Sequence, residues 1–390
     1  MTKTKPVYFD YMATTPIDPR VIERMLTFMG PEVQYGNPAS VTHSYGLAAA
    51  EAVEYARAQI ASAVGATPEE LIFTSGATES NNLALFGAAR FYQQKGRHII
   101  TLTTEHKAVL DCMKQLEREG FEITRLNPKK DGLLALSDLE AVLRDDTILV
   151  SVMQVNNETG VIQDIAAIGE LLRGKGIIFH VDAAQSAGKL LIDLKQLPVD
   201  LMSFSAHKLY GPKGIGALYV RQKPRIRLQP LLFGGGHEHG LRSGTLATHQ
   251  IVGMGEAFAI ANACREEEQQ RLLCLREQLW EGICKLPGIQ LNGHRTQRIA
   301  GNLNVSFSDV DGLNLLPSMS ELALSTSSAC TSASAEGSYV LRAMGICREV
   351  ALNSVRFSLG RYTSDADVQF AIKVIQKAIT SYNDKNRGHL

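Results

Sequence analysis

A chain of 390 residues, 45% hydrophobic and 21% charged, is long enough for two hydrophobic cores and has the make-up of a soluble globular protein. Forty Lys and Arg against forty Asp and Glu leave a formal charge of zero, which excludes nucleic-acid or anionic-membrane binding driven by net charge. Met1-Thr2-Lys3-Thr4-Lys5-Pro6 carries no apolar signal core, and no apolar run approaches the ~18 residues of a membrane span, so a cytoplasmic location is expected.

In chain order, Val7 to Asp10 reads as a short strand, followed by the polar turn Asp10 to Pro16. Asp18-Pro19 opens a helix with a cap and a proline at its first position. Ser44 to Val64 predicts a long helix with Ala48, Ala52, Tyr55, Ile60 and Val64 near one face. Leu71–Thr74 is a short apolar strand, then Ser75-Gly76-Ala77-Thr78 leads into a helix reaching Tyr92. Strands follow at His98–Leu102, Glu122–Leu126, Ile148–Met153, Ile177–Val181, Leu201–Phe204 and Ala217–Val220, with helices between the first several. This alternation predicts an α/β fold, a mostly parallel sheet between helices, with ligands at the carboxyl ends of its strands. Ile251 to about Leu286 is helical, with apolar residues spaced by threes and fours. Strands at Asn304–Phe307, Leu322–Ser325 and Val355–Leu359 and a last helix from Ser364 to about Tyr382 form a second, smaller α/β unit. The expected division is residues 16–261 against 262–390, with residues 1–15 packing on the smaller unit.

Several strand ends carry chemistry. Ser203-Phe204-Ser205-Ala206-His207-Lys208 puts a lysine where a buried strand stops. Desolvation there lowers the pKa of an amine and frees it to form an imine, while Ser205 and His207 beside it suit an anion; an ordinary loop lysine is the alternative reading of Lys208. An imine-forming lysine with a phosphate cup is what pyridoxal phosphate requires. Gly76 and the amides of Ala77 and Thr78, at a helix start, suit a phosphate group. Asp182, ending the apolar run Ile177-Ile178-Phe179, would meet a protonated pyridine nitrogen, with Gln185 reaching the ring oxygen; a helix cap is the alternative reading of Asp182. His106 follows a strand end and is suited to proton transfer, a satisfied structural histidine being the alternative, and Asn157 follows another strand end. Arg356 is charged within an apolar strand, as a carboxylate clamp would be; an arginine at a water-facing strand edge is the alternative. The six cysteines, at 112, 264, 274, 284, 330 and 347, form no Cys-x-x-Cys pair, so neither a disulfide framework nor a resident metal is expected. Cys330 stands apart in an uncharged, hydroxyl-rich run, Leu324 to Ser334, whose composition suits a loop presenting a thiol; a buried thiol in a Ser-rich turn is the alternative.

Nearly the whole chain, from Asp10-Tyr11 to about Tyr382, resembles cysteine desulfurases of the NifS/IscS type, within the class-V, fold-type I pyridoxal-phosphate enzymes. The resemblance rests on Ala13-Thr14-Thr15-Pro16, Gly36 to Ser40, Thr74 to Glu79, Thr104 to Leu110, Val155 to Glu158, His180 to Gln185, Ser203 to Gly214, Arg242 to Thr245, Ser328 to Ser334 and Arg356 to Arg361. It implies that Lys208 carries the cofactor, that Asp182 and Gln185 contact its ring, and that His106 stacks on the ring and assists proton transfer. Ala77, Thr78, Ser205 and His207 would bind phosphate, and Thr245 would do so in the other subunit of a homodimer. Asn157 and Arg356 would hold the carboxylate of L-cysteine. Cys330 would take its sulfur as a persulfide, leaving L-alanine, and pass it to an acceptor or iron–sulfur scaffold protein, with Cys330 a transient iron–sulfur ligand at most. A selenocysteine lyase and a non-catalytic cofactor scaffold are the alternatives; the loop thiol speaks against the scaffold. Ala206 and Ser327 stand where the family usually has glycine, Gln154 where histidine is common, and Glu238-His239 where Glu-Arg is usual. The last ten residues, Ser381 to Leu390, are polar and poor in apolar anchors, whereas housekeeping members usually extend past the last helix with an aromatic-bearing segment that docks their scaffold, so weak docking to such a scaffold is expected.

Overall fold

The computed structural model describes residues 5–308, 316–326 and 337–387, with side chains through residue 381. Cys330, Ser327 and the last three residues lie outside the described residues.

Thirteen strands are described: β1 (Val7–Tyr8), β2 (Leu71–Thr74), β3 (His98–Leu102), β4 (Glu122–Leu126), β5 (Thr147–Ser151), β6 (Ile178–Asp182), β7 (Leu201–Ser205), β8 (Gly216–Val220), β9 (Ile289–Leu291), β10 (Asn302–Phe307), β11 (Leu322–Ala323), β12 (Ser325–Thr326) and β13 (Ser354–Ser358). Seven form the main sheet, in the order β2-β8-β7-β6-β5-β3-β4. Only β8 runs against its neighbours. The expected mostly parallel sheet is therefore present, and the carboxyl ends of six strands share one edge. Successive side chains alternate between two cores, as a sheet covered on both faces requires. Phe179, Val181, Met202 and Phe204 enter one cluster; Ile178, Leu149, Leu201 and Leu218 enter the other.

The helices covering this sheet are α1 (Pro19–Leu26), α2 (Ser44–Val64), α3 (Ala77–Tyr92), α4 (Lys107–Arg118), α5 (Leu136–Glu140), α6 (Ile165–Leu172) and the first part of α7 (Thr248–Ile283). Asp18 caps α1 as expected, accepting from the Arg20 amide. Helix α2 has the expected limits, and Ala52, Ile60 and Val64 of the expected face are buried, but Tyr55 is not. Tyr55 is 58% exposed, and the inward stripe is Ala49, Ala52, Val53, Ala56, Ile60 and Val64. The reason is a close crossing with α7, where a Cβ on Gly255 would stand 2.8 Å from that of Ala56. Only small residues fit on that side, and the bulky ring is turned outward.

Four antiparallel strands, β12-β13-β10-β9, make the smaller sheet. Its core takes Leu272, Leu275, Leu279 and Ile283 from the second part of α7, Val368, Ile372 and Ile375 from the helix Asp365–Arg387, and Phe9 from the amino terminus. One continuous helix thus serves both cores. Its large-sheet contacts end at Cys264, and its small-sheet contacts begin at Leu272. The single expected strand Leu322–Ser325 is two, because the chain changes sheets there: β11 pairs with β1, and β12 pairs with β13. The last helix continues past Tyr382 to Arg387. No described helix is long and apolar enough to cross a membrane.

Candidate active site

The carboxyl edge of the main sheet opens onto a cavity of about 490 Å³. Five strand ends supply its walls. β2 leads to Ser75–Thr78, β3 to His106, β5 to Asn157 and Glu158, β6 to Asp182 and Gln185, and β7 to Ser205, His207 and Lys208. Arg356 of the smaller sheet closes the cavity from the other side. Eleven residues the sequence singled out for the site thus line one space, Gly76 among them. Thr245 is exposed on a separate loop and does not line this cavity.

The short turn Ala206–Lys208 places the lysine. Its Nζ donates to the carbonyl oxygens of Met12, at 2.6 Å, and Ala13, at 2.8 Å. Tyr210 just beyond holds a left-handed backbone, φ 65°. That strain is held by a bond from its amide to Thr15 Oγ1, by its carbonyl accepting from the Asp18 amide, and by Arg361 lying over its ring, 4.1 Å from the centroid. Ala206 fits in place of the family's usual glycine because φ there is not positive. His207 Nδ1 is 3.1 Å from Thr14 Oγ1; burial, with the charges of Lys208, Lys213 and Lys189, pushes it down to about 4.

Asp182 is buried at the end of β6. Its Oδ2 accepts from Asn81 Nδ2 at 2.7 Å, and its Oδ1 accepts from the Ala184 amide at 2.9 Å. It caps no α-helix, and no ion pair engages it among the described residues. His106 is the N-cap of α4, its Nδ1 accepting from the Ala108 amide at 3.1 Å. Burial lowers its pKa, Lys208 adds to this and Asp182 opposes it, so the ring is neutral and its proton sits on Nε2. Gln185 is engaged at both ends, donating to Met12 O at 2.9 Å and accepting from Lys189 Nζ at 3.1 Å.

Arg356 is 2% exposed in an interior strand, so it is no water-facing edge residue. Its Nη1 donates to Asn157 O at 2.6 Å and its Nη2 to Asp10 Oδ1 at 2.7 Å. Its Nε, like Asn157 Oδ1, is buried without a hydrogen-bond partner among the described residues.

The matching family model is that of the class-V aminotransferases, over residues 7–370. The chain is 60% identical over 374 residues to the cysteine desulfurase IscS of Klebsiella pneumoniae subsp. pneumoniae, covering 96% of this chain and 93% of that one. The cysteine desulfurase IscS of Escherichia coli O139:H28 is 59% identical over 379 residues, covering 97% and 94%. This chain belongs to the cysteine desulfurases of the class-V aminotransferase family. Among solved structures, a NifS-like protein superposes with a TM-score of 0.89 at 37% identity, covering 96% of this chain and 99% of its own. SspA in complex with cysteine superposes with a TM-score of 0.81 at 38% identity, covering 93% and 100%.

The cofactor of this family is pyridoxal 5′-phosphate, and the cavity fits it. A Cβ on Gly76 would meet nothing within 4 Å, so the ground before the first amides of α3 is open to a phosphate. Asp182 offers a buried carboxylate on the same cavity, and Lys208 an amine. Glu79 would be an unwelcome charge beside a phosphate, but Arg242 Nε pairs with it at 2.8 Å, and it also accepts from the Ser75 amide.

The sequence reading missed several participants. Asn81 is a fully buried polar residue on the inward face of α3; that burial pattern was its only signal. The Met12 and Ala13 carbonyls that meet Lys208 are backbone groups, which sequence does not advertise. Glu158 is buried and accepts from Ser338 Oγ, and burial pushes its carboxyl up to about 7. Asp10, the partner of Arg356, went unassigned.

Proposed function

We propose that this cysteine desulfurase takes L-cysteine into the cavity between the two sheets, with the named side chains in the following roles. Pyridoxal phosphate supplies an aldehyde for the amine and an electron sink that weakens the bond from Cβ to sulfur. Lys208 tethers the cofactor through Nζ. Asp182, held by Asn81 and the Ala184 amide, faces the pyridine nitrogen. Gln185 faces the ring oxygen. The amides of Ala77 and Thr78, with Ser205 and His207, bind phosphate, and Thr245 reaches the phosphate in the other subunit of a homodimer. His106, neutral and carrying its proton on Nε2, stacks on the ring and handles a proton there. Arg356 and Asn157 hold the substrate carboxylate. Cys330 takes the sulfur as a persulfide and hands it to an acceptor protein such as an iron–sulfur scaffold, in the cytoplasm. Residues 16–261 form the cofactor unit, and 262–390 with 1–15 the unit bearing Cys330 and Arg356.

The observation carrying these roles is the convergence of Lys208, Asp182, His106 and Arg356 on one cavity from two separate sheets. The test incubates the holoenzyme with L-cysteine without added reductant, measuring L-alanine and cyanide-labile persulfide, and then adds a small-thiol reductant to read sulfide release. Both should appear in equal amounts over the first turnover. Cys330→Ala should still bind cofactor and substrate yet release essentially no sulfide. Near-normal sulfide from that variant would move the nucleophile to another cysteine.

A further inference from the structure

Arg356 is well placed to hold a substrate carboxylate, yet a carboxylate of the chain itself already sits on it. Asp10 Oδ1 lies 2.7 Å from Nη2, across 346 residues of sequence. The other arm is taken by Asn157 O, while Nε, buried beside the cavity, has no partner among the described residues. A guanidinium binds a carboxylate best through two parallel N–H groups, and Nε with Nη2 is one of its two forks. Asp10 therefore holds half of a fork and leaves the other half unsatisfied. A buried donor left unpaired is costly, and a ligand that pairs it is favoured by that amount. The Asp10 side chain is also less sealed than its partner, at 21% against 3% exposure. It has a way to water that the guanidinium lacks.

We propose that Asp10 is an internal competitor for the carboxylate seat. It neutralises the buried guanidinium and holds it in place, and it yields Nη2 when the carboxylate of an amino acid takes Nε and Nη2 together. This rests on the reading of Arg356 as that seat. Two carboxylates on one guanidinium repel each other, so every amino acid that binds must displace a like charge first. The consequence is a seat that selects ligands able to make both bonds at once. Stray mono-anions gain too little to turn Asp10 out. Affinity for the product L-alanine is held down in the same way, which favours its release.

Calorimetric titration of the holoenzyme with L-alanine and with cysteamine, which lacks a carboxylate, tests this, alongside KM and kcat for L-cysteine. Asp10→Asn keeps an oxygen for Nη2 but removes the charge. It should bind L-alanine about ten-fold more tightly, the effect of removing one like charge a few ångströms away. KM should fall in step, kcat should not rise, and cysteamine should bind as before. Asp10→Ser, smaller and also uncharged, should move L-alanine affinity in the same direction and serves if the asparagine variant loses cofactor. Arg356→Gln should weaken L-alanine binding about ten-fold or more. Loss of affinity in Arg356→Gln, with none gained in either Asp10 variant, would leave the seat standing and overturn the competitor. An equal gain for cysteamine would also overturn it, because the effect would then not concern a carboxylate. Unchanged L-alanine affinity in Arg356→Gln would remove the seat, and the proposal with it.

Discussion

The two sheets feed the same cavity in different ways. The main sheet contributes through strand ends: five loops at its carboxyl edge bring lysine, histidine, aspartate, asparagine and backbone amides to one place. The smaller sheet contributes from inside a strand. Arg356 is the middle residue of β13, paired to Asn304 on one side and Ser325 on the other. Loop-borne groups at a parallel edge are exchanged without disturbing the ladder beneath them. A charge in the middle of an antiparallel strand has to find its partners where it stands, and Asp10 and the Asn157 carbonyl supply them for two of the three guanidinium nitrogens of Arg356. The large sheet thus offers a variety of groups, and the small sheet one rigidly set cation.

The sharpest way to test this contrast is to remove the best-placed strand-end group. Lys208→Ala should abolish borohydride-stable attachment of the cofactor and lower turnover about 10³-fold or more, with the fold intact by circular dichroism. Finding the reduced cofactor on another residue in the wild-type protein would undo the assignment. Next in size is the mid-strand cation. Arg356→Lys keeps the charge but not the planar fork and should raise KM for L-cysteine about ten-fold or more, with a smaller change in kcat. A fall in kcat alone would mean that the strand positions chemistry rather than substrate. A support of the large-sheet edge should matter less. Asn81→Ala removes one hydrogen bond to Asp182 and should lower kcat about five-fold, with a shift in cofactor absorbance that a purely structural loss would not give.

The smallest effect concerns stability. Burial raises Glu158 from 4.5 to about 7. A carboxyl raised in the folded state binds its proton more tightly there than in the unfolded chain. Its contribution is therefore full below about pH 4.5 and is lost as pH rises toward 7. Glu158→Gln should remove that slope, so that thermal melting at pH 8 rises by about 2 °C while melting at pH 4 stays put. A parallel drop at both pH values would assign Glu158 to packing and to its bond with Ser338 instead.

What could be read from the sequence follows the same division. Lys208, Asp182 and His106 were legible because an apolar run that stops in a polar residue marks a strand end, and in a parallel sheet strand ends converge. Arg356 was legible as a charge inside an apolar strand. Its partner Asp10 was not, because a pairing across 346 residues leaves no local trace. Asn81 was hidden within an ordinary helix pattern. The outward turn of Tyr55 depends on how closely α7 crosses α2, which the periodicity of α2 alone does not encode. The split of Leu322–Ser325 between two sheets depends on partners far away in the chain. Cys330, the residue most singled out by composition, lies outside the described residues.

Helix α7 has a consequence for how the molecule comes apart. Its 36 residues run as one rod, about 54 Å long at 1.5 Å per residue, through both cores. Between Cys264 and Leu272, where contacts pass from one sheet to the other, the backbone stays helical. A protease searching there for an extended joint meets a hydrogen-bonded coil, and a bending motion finds no loop in which to turn. The two units should therefore melt together in a single calorimetric transition, and limited digestion should not separate them at this place.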